Sequence, residues 1–381
     1  MIYLDNAATS FPKPEGVYRA MDSFARNTLA NPGRAGHKMA LASEHAVNDA
    51  RHRINRFVNG RNPERVIFTL NGTDALNMAF KGVLNPGDHV ITSDLEHNSV
   101  SRPLVSLEQQ GVITLTRVAA DSGGTLDPDA IAKAITPKTK LVAVTHCSNV
   151  LGTVQPITEI GAICPQRGVL FLVDAAQTAG VVPLDIAAMN IDLLAFPGHK
   201  GLFGPTGTGV LVVAPKVTVR PWREGGTGGD SSTPTQPTDY PHLLEGGTPN
   251  VLGIVGLVAG LDYVEAETLE KIRTHEVNLC ERLREKLDAL GGFEFFGHAD
   301  ITRRVGTLSF RSENLPAPEL GSLLDQAFDI AIRPGLHCAP YVHRANNVFP
   351  EGLVRVSPGP FNTEADIDAL VEALKSIHEG M

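Results

Sequence analysis

Short apolar runs alternate, over the first two-thirds of the chain, with longer segments in which apolar positions recur every third or fourth residue. The short runs read as buried strands and the longer segments as amphipathic helices packed on them. Strands are expected at Val66–Thr69, His89–Thr92, Val112–Val118, Lys140–Thr145 and Val169–Asp174. Helices are expected from Pro14 towards Thr28, over Ala40–Val58, Val100–Gln110 and Ile157–Gln166, and over Pro128–Ile135 with Asp127 as its cap. Such alternation makes βαβ units and a mainly parallel sheet. From about residue 255 the texture changes: a charged amphipathic helix, Leu269–Leu290, precedes short strands at Thr307–Phe310 and Gly352–Ser357 and a closing helix from Glu364 to Ile377. That reads as a smaller α+β domain after a large α/β one, since 381 residues exceed what one core usually holds. Residues 31–37 read as a loop, and Gly225–Ser232 is a glycine-rich patch, either a mobile linker or an ordered turn beside a ligand. No period of solenoid length recurs.

Two stretches carry candidate chemistry. In Asp192–Gly209 an apolar strand ends at Phe196, and Lys200 follows in a run of glycines, prolines and small hydroxyl residues that no helix can cross. Lys200 is then either a solvated loop lysine or a desolvated one, whose neutral amine can condense with a carbonyl. The second stretch, Val169–Gln177, is an apolar run closed by Asp174, which places a carboxylate at a strand's carboxyl end. Ligands of open α/β sheets bind at those ends. A lysine and a carboxylate so placed fit pyridoxal 5'-phosphate, the lysine holding the cofactor and the aspartate keeping its pyridine nitrogen protonated. Upstream, Asn71-Gly72-Thr73-Asp74 opens a helix, either as a plain cap or as a phosphate cradle of backbone N–H groups and the Thr73 hydroxyl.

From Tyr3-Leu4-Asp5-Asn6-Ala7-Ala8-Thr9 nearly to its carboxyl end, the chain resembles the class V aminotransferase-like family, most closely the cysteine desulfurases. The segment Arg333-Pro334-Gly335-Leu336-His337-Cys338 is similar to the Arg-x-Gly-x-His-Cys segment of their group II branch. The resemblance implies a fold type I pyridoxal phosphate enzyme, with a large domain at 15–254 and a small one formed by 1–14 and 255–381. It implies Lys200 as the cofactor lysine, Asp174 on the pyridine nitrogen, Gln177 on the ring oxygen and His97 stacked on the ring. Thr73 and His199 match phosphate contacts, and Thr248 a contact to the phosphate of a neighbouring subunit, hence a homodimer with shared active sites. Asn149 and Arg355 match positions that hold the substrate carboxylate, and an arginine fork does this bidentately. Cys338 would take sulfur from L-cysteine as a persulfide, with alanine as product and a sulfur-acceptor protein downstream. Thiolate is the reactive form, favoured by a nearby cation such as Arg333 or protonated His337.

Two departures stand out. Pro197 occupies a place where the family commonly offers the phosphate a hydroxyl, and proline offers no donor at all. The segment after Cys338, Ala339-Pro340-Tyr341-Val342-His343-Arg344, also differs.

Composition narrows the alternatives. A net charge of −9 with no basic run argues against a nucleic-acid partner. Val251–Leu261 is interrupted by glycines and too short to span a bilayer, and the amino terminus has no basic flank. A protein of the cytoplasm, without membrane contact, is expected. None of the four cysteines forms a Cys-x-x-Cys pair, so by default they read as small buried hydrophobes and no metal site is expected. Selenocysteine lyase, or another lyase or transaminase of the same family, remains the alternative activity. A dinucleotide-binding oxidoreductase fails, because the glycines of Gly204–Gly209 lead into a strand where the Rossmann fingerprint needs a helix.

Overall fold

The apolar runs of the first two-thirds of the chain assemble into one sheet buried on both faces. The computed structural model describes residues 1–33, 36–228 and 232–379. Arg34 and Ala35 of the expected loop, and Gly229, Asp230 and Ser231 of the glycine-rich patch, lie outside the described residues. The chain begins with β1 (Ile2–Tyr3), α1 (Glu15–Asn27) and α2 (Lys38–Phe57). It then alternates through β2 (Val66–Thr69), α3 (Gly72–Val83), β3 (Asp88–Ser93), α4 (Asn98–Gln109), β4 (Ile113–Val118) and α5 (Pro128–Ala134). The alternation closes with β5 (Thr139–Thr145), α6 (Ile157–Gln166), β6 (Leu170–Asp174), β7 (Leu193–Pro197) and β8 (Gly209–Val213).

The seven-stranded sheet has the order β2-β8-β7-β6-β5-β3-β4. β8 alone runs against its neighbours, and the pairs among β3 to β7 are parallel. Side chains alternate between its faces as the strand period requires: Phe171 and Val173 of β6 enter one core, Leu172 the other. Each such buried Val, Leu or Phe contributes about 1.5–3 kcal/mol relative to exposure. Because the strands run in common from amino to carboxyl end, Thr145, Asp174 and Pro197 finish along one edge of the sheet.

α7 (Val251–Glu267) follows without a break where the domain division was expected at 254/255, and Val251, Ile254, Leu257 and Leu261 pack into a core of the large sheet. Its glycines permit close approach and do not break the helix. A Cβ on Gly260 would lie 2.1 Å from the Leu202 carbonyl, so α7 presses directly on the loop that carries Lys200. The remaining chain holds α8 (Leu269–Leu290), β9 (Phe293–Phe296), β10 (Leu308–Ser312), α9 (Ala317–Phe328), β11 (Ile330–Ala331), β12 (Arg333–Gly335), α10 (Pro340–Ala345), β13 (Leu353–Val356) and α11 (Glu364–Glu379). A second, antiparallel sheet has the order β12-β13-β10-β9, and β1 pairs in parallel with β11, tying the amino-terminal arm to this part. Among the described residues no helix is long and apolar enough to cross a membrane.

Helix starts differ slightly from the hydrophobic pattern. α4 begins at Asn98, ahead of the expected Val100, because the His97 ring caps it: Nδ1 accepts from the Ser99 N–H at 3.0 Å. Polar caps carry no hydrophobic period, so periodicity misses them.

Candidate active site

Lys200, Asp174, Gln177, His97, Thr73, His199, Asn149 and Arg355 all line one cavity of about 220 Å³ at the carboxyl edge of the large sheet. The sequence spread these residues over nearly the whole chain, and the strand ends gather them.

Lys200 follows β7 by a tight turn, and its backbone is clamped by the amino-terminal arm. Ser10 Oγ donates to the Lys200 carbonyl at 3.0 Å, and Lys13 Nζ and the Ser10 N–H donate to the His199 carbonyl at 2.9 and 3.1 Å. Burial first, and then the field of Arg355, lowers the Lys200 pKa to about 8, so the solvated-loop alternative gives way. Asp174 ends β6 and is 4 % exposed; its Oδ1 accepts from the Ala176 N–H at 2.9 Å, and among the described residues no other hydrogen bond engages the carboxylate. Desolvation raises its pKa. A buried acid with so few partners calls for a cationic or N–H ligand group in the cavity.

Thr73 does not cap α3. Asn71 does, accepting from the Asp74 N–H at 2.8 Å, and the Thr73 hydroxyl instead lies 2.7 Å from that of Ser99. The rings of His97 and His199 are held neutral, each with its pKa lowered to about 4 by burial and then by Lys200. His199 Nδ1 faces Thr9 Oγ1 at 3.1 Å, and Gln177 Nε2 donates to the Ala7 carbonyl at 3.1 Å.

Arg355 is fully buried in β13 and stands directly opposite Arg333 of β12. Like charges in such register are destabilising unless an anion joins them. Asp5 supplies part of that charge: Arg355 Nη2 donates to it at 2.7 Å, Nη1 donates to the Asn149 carbonyl at 2.9 Å, and Nε has no partner. The Asn149 side chain in turn donates to the His337 carbonyl at 2.8 Å, which fixes the start of the Cys338 turn.

Cys338 stands in an adjoining cleft that shares Thr73, His97 and Ser99 with the Lys200 cavity. His337 and Cys338 both have positive φ, 49° and 57°, a conformation that side chains resist and that marks a held turn. Arg333 Nη2 approaches Cys338 Sγ at 3.5 Å. Of the two expected cations, Arg333 is the one the geometry places there. His337 is buried, with its pKa well below the ordinary value through desolvation and then Arg355, and its Nε2 faces the Arg333 carbonyl at 2.9 Å. It is neutral and turned away from the sulfur. Cys147, Cys164 and Cys280 are buried thiols, each pushed up to about 12 by desolvation, whereas Cys338 is half-buried.

Thr248 does not face the Lys200 cavity. It is exposed on a separate groove of about 970 Å³, near Arg51 and Glu245. Among the described residues no group of three or more His, Cys, Asp or Glu is arranged to hold a metal ion. Sequence reasoning missed Ser99, the Asp5 partner of Arg355, and the clamp formed by Ser10 and Lys13. The Asp5–Arg355 pair spans almost the full chain and left no local signal.

A family model described as aminotransferase class-V matches residues 2–370. A probable cysteine desulfurase of Methanothermobacter thermautotrophicus is 37 % identical over 99 % of this chain and 94 % of its own length. A cysteine desulfurase of Escherichia coli O157:H7 is 33 % identical over 99 % of this chain and 93 % of its own. The apo structure of a cysteine desulfurase from Thermococcus onnurineus NA1 superposes with a TM-score of 0.94 at 32 % identity, covering 100 % of this chain and 95 % of that one. With matches of that extent in both sequence and fold, the chain belongs to the aminotransferase class-V family, among relatives named cysteine desulfurase.

Proposed function

We propose that this enzyme is a cysteine desulfurase that binds pyridoxal 5'-phosphate in the Lys200 cavity, takes the sulfur of L-cysteine onto Cys338 and releases L-alanine. The observation that carries the reading is one cavity lined by a lysine of lowered pKa, a buried under-bonded aspartate and two opposed arginines, with a half-buried cysteine at its rim. The donor set fits the cofactor. Lys200 can bond its aldehyde carbon, Asp174 can receive its pyridine N–H, and the start of α3 with Thr73 can receive its phosphate. When bound, pyridoxal phosphate supplies a ring that accepts electrons and so weakens bonds at the carbons of the amino acid.

The chain's own groups do the rest. Asp174, short of partners, keeps the pyridine proton in place. The neutral ring of His97 can cover one face of the cofactor without adding a like charge. A pKa near 8 lets Lys200 Nζ both take and return a proton at substrate carbon close to neutral pH. Arg355 and Arg333 offer the substrate carboxylate the anionic place that their register requires, with Asn149 holding Arg355 in line. Cys338, as thiolate beside Arg333, attacks the sulfur of cysteine. The carbon–sulfur bond breaks, a sulfur–sulfur bond forms on Cys338, and the carbon takes a proton to become alanine.

Incubation of the purified protein with L-cysteine and a reductant should yield sulfide and alanine in equal amounts. Pyruvate and ammonia in place of alanine, or alanine without sulfide, would remove the desulfurase reading. Arg355→Lys keeps the charge but loses the fork. A charge-assisted hydrogen bond lost from a buried pair should raise the KM for cysteine roughly tenfold or more while leaving the resting visible spectrum unchanged. An unaltered KM would take Arg355 out of the substrate site.

We further place the enzyme in the cytoplasm, a compartment that suits four unpaired thiols. A homodimer gives Thr248, exposed and outside its own chain's cavity, a second copy's phosphate to serve. The division into 15–254 and 1–14 with 255–381 is proposed with α7 bridging the two parts. The sulfur acceptor docks at the Cys338 cleft in this reading.

A further inference from the structure

α3 and α4 each have 12 residues, and their amino-terminal ends converge on the Lys200 cavity. Each places a hydroxyl residue second in the helix, Thr73 in one and Ser99 in the other, and the two oxygens lie 2.7 Å apart. Neither hydroxyl is needed to cap its helix. Asn71 serves α3, and the His97 ring serves α4 through the backbone N–H of Ser99. Pro197, at the end of β7, lines the same cavity and packs so close to the start of α3 that a Cβ on Gly72 would meet its ring at 3.3 Å. Proline has neither a hydroxyl nor an N–H to donate, so that wall is closed to an anion.

The cavity holds other groups that wait for a ligand. Among the described residues, Asp174 is 4 % exposed with only Oδ1 hydrogen-bonded, and the fully buried Arg355 has an Nε without a partner. An anion placed against Thr73 and Ser99 would face two helix amino termini and two hydroxyl donors, with the neutral His199 ring nearby. Ser99 also sits 2.9 Å from His97 Nδ1, and its hydroxyl is free to turn from the ring to an anion because the backbone N–H already satisfies that nitrogen.

We propose that Ser99 is a phosphate ligand of this enzyme, acting with Thr73 to supply from α4 the donor that Pro197 withholds at the end of β7. The inference rests on the assignment of the cavity to pyridoxal phosphate. Its test separates the phosphate from the ring. Full-length protein stripped of cofactor is titrated with pyridoxal 5'-phosphate and with pyridoxal, which lacks the phosphate, and binding is read by equilibrium dialysis.

Ser99→Ala should weaken pyridoxal phosphate roughly tenfold or more and leave pyridoxal unchanged, since a hydrogen bond to a charged group is lost only in the first case. Inorganic phosphate should compete with the cofactor less well against the variant than against wild type. Ser99→Thr should bind as wild type does, and Pro197→Ser in the Ser99→Ala background should recover affinity by restoring a hydroxyl at the end of β7. Equal weakening of both aldehydes would reduce Ser99 to a support for His97 and overturn the proposal, as would an unchanged pyridoxal phosphate affinity. Wild type that binds neither aldehyde would end the cofactor assignment and this inference with it. Wild type that binds both alike would end this inference alone.

Discussion

Lys200→Ala should lose the visible absorption band that borohydride bleaches and release sulfide at least about a thousandfold more slowly, because both the covalent link to the cofactor and the proton carrier disappear. The fold should survive. Among the described residues the Lys200 side chain makes no hydrogen bond, and its backbone is held by Ser10 and by α7, neither of which the substitution touches. The pH dependence of stability gives a second reading from the same variant. In cofactor-free protein the folded-state pKa of Lys200, about 8, lies below its ordinary value of 10.5, so folding disfavours the protonated form. Wild type should therefore lose stability relative to Lys200→Ala as pH falls through that window, and regain it as pH rises from about 8 towards 10.5. Thermal unfolding of both proteins across pH 7 to about 10 measures the difference. A variant that keeps a borohydride-reducible band would remove Lys200 from the centre of the site.

That Lys200 and Asp174 were legible in the sequence has a physical reason. Asp174 ends one apolar strand and Lys200 follows another by a tight turn, and a charged group after a doubly buried strand has few places to go but the sheet's carboxyl edge. Thr73 was half legible, since a hydroxyl at a helix start reads equally as cap or ligand until Asn71 is seen to take the cap. Ser99 was hidden because α4 begins with a histidine cap and carries no hydrophobic signal there. α7 shows the opposite failure. Its glycines read as breaks, yet they are close contacts: a Cβ on Gly260 would collide with the Leu202 backbone of the Lys200 loop, and one on Gly253 or Gly256 with the side chains of Asn250 or of Met21 and Pro205. The setting of Arg355 could not be read at all. Asp5 and Arg333 meet it through pairing between distant segments.

Cys338→Ala should stay yellow, bind cysteine, and release almost no sulfide. In the proposed sequence of steps the thiol acts only once cysteine is bound and Lys200 has moved its proton, so the early spectral changes should persist. The geometry supports this separation. Cys338 lies in the adjoining cleft, beyond Thr73, His97 and Ser99, and the charged group against its sulfur is Arg333 at 3.5 Å. Arg333, which also lines the Lys200 cavity, is held by its pairing with Arg355 in β13 and does not depend on the sulfur for its place. Wild type exposed briefly to cysteine should carry one additional sulfur, and the peptide containing Cys338 should hold it. Selenocysteine turnover should fall much less, because selenium leaves carbon more readily and does not need a thiolate to take it. Arg333→Gln, which removes the cation 3.5 Å from the sulfur, should slow sulfide release. If Cys338 were one more small buried residue like Cys147, Cys164 and Cys280, alanine would be a mild change of a few kcal/mol at most, with activity kept. Full sulfide release by Cys338→Ala would overturn the persulfide step and leave the cavity as that of a lyase or transaminase acting on another amino acid.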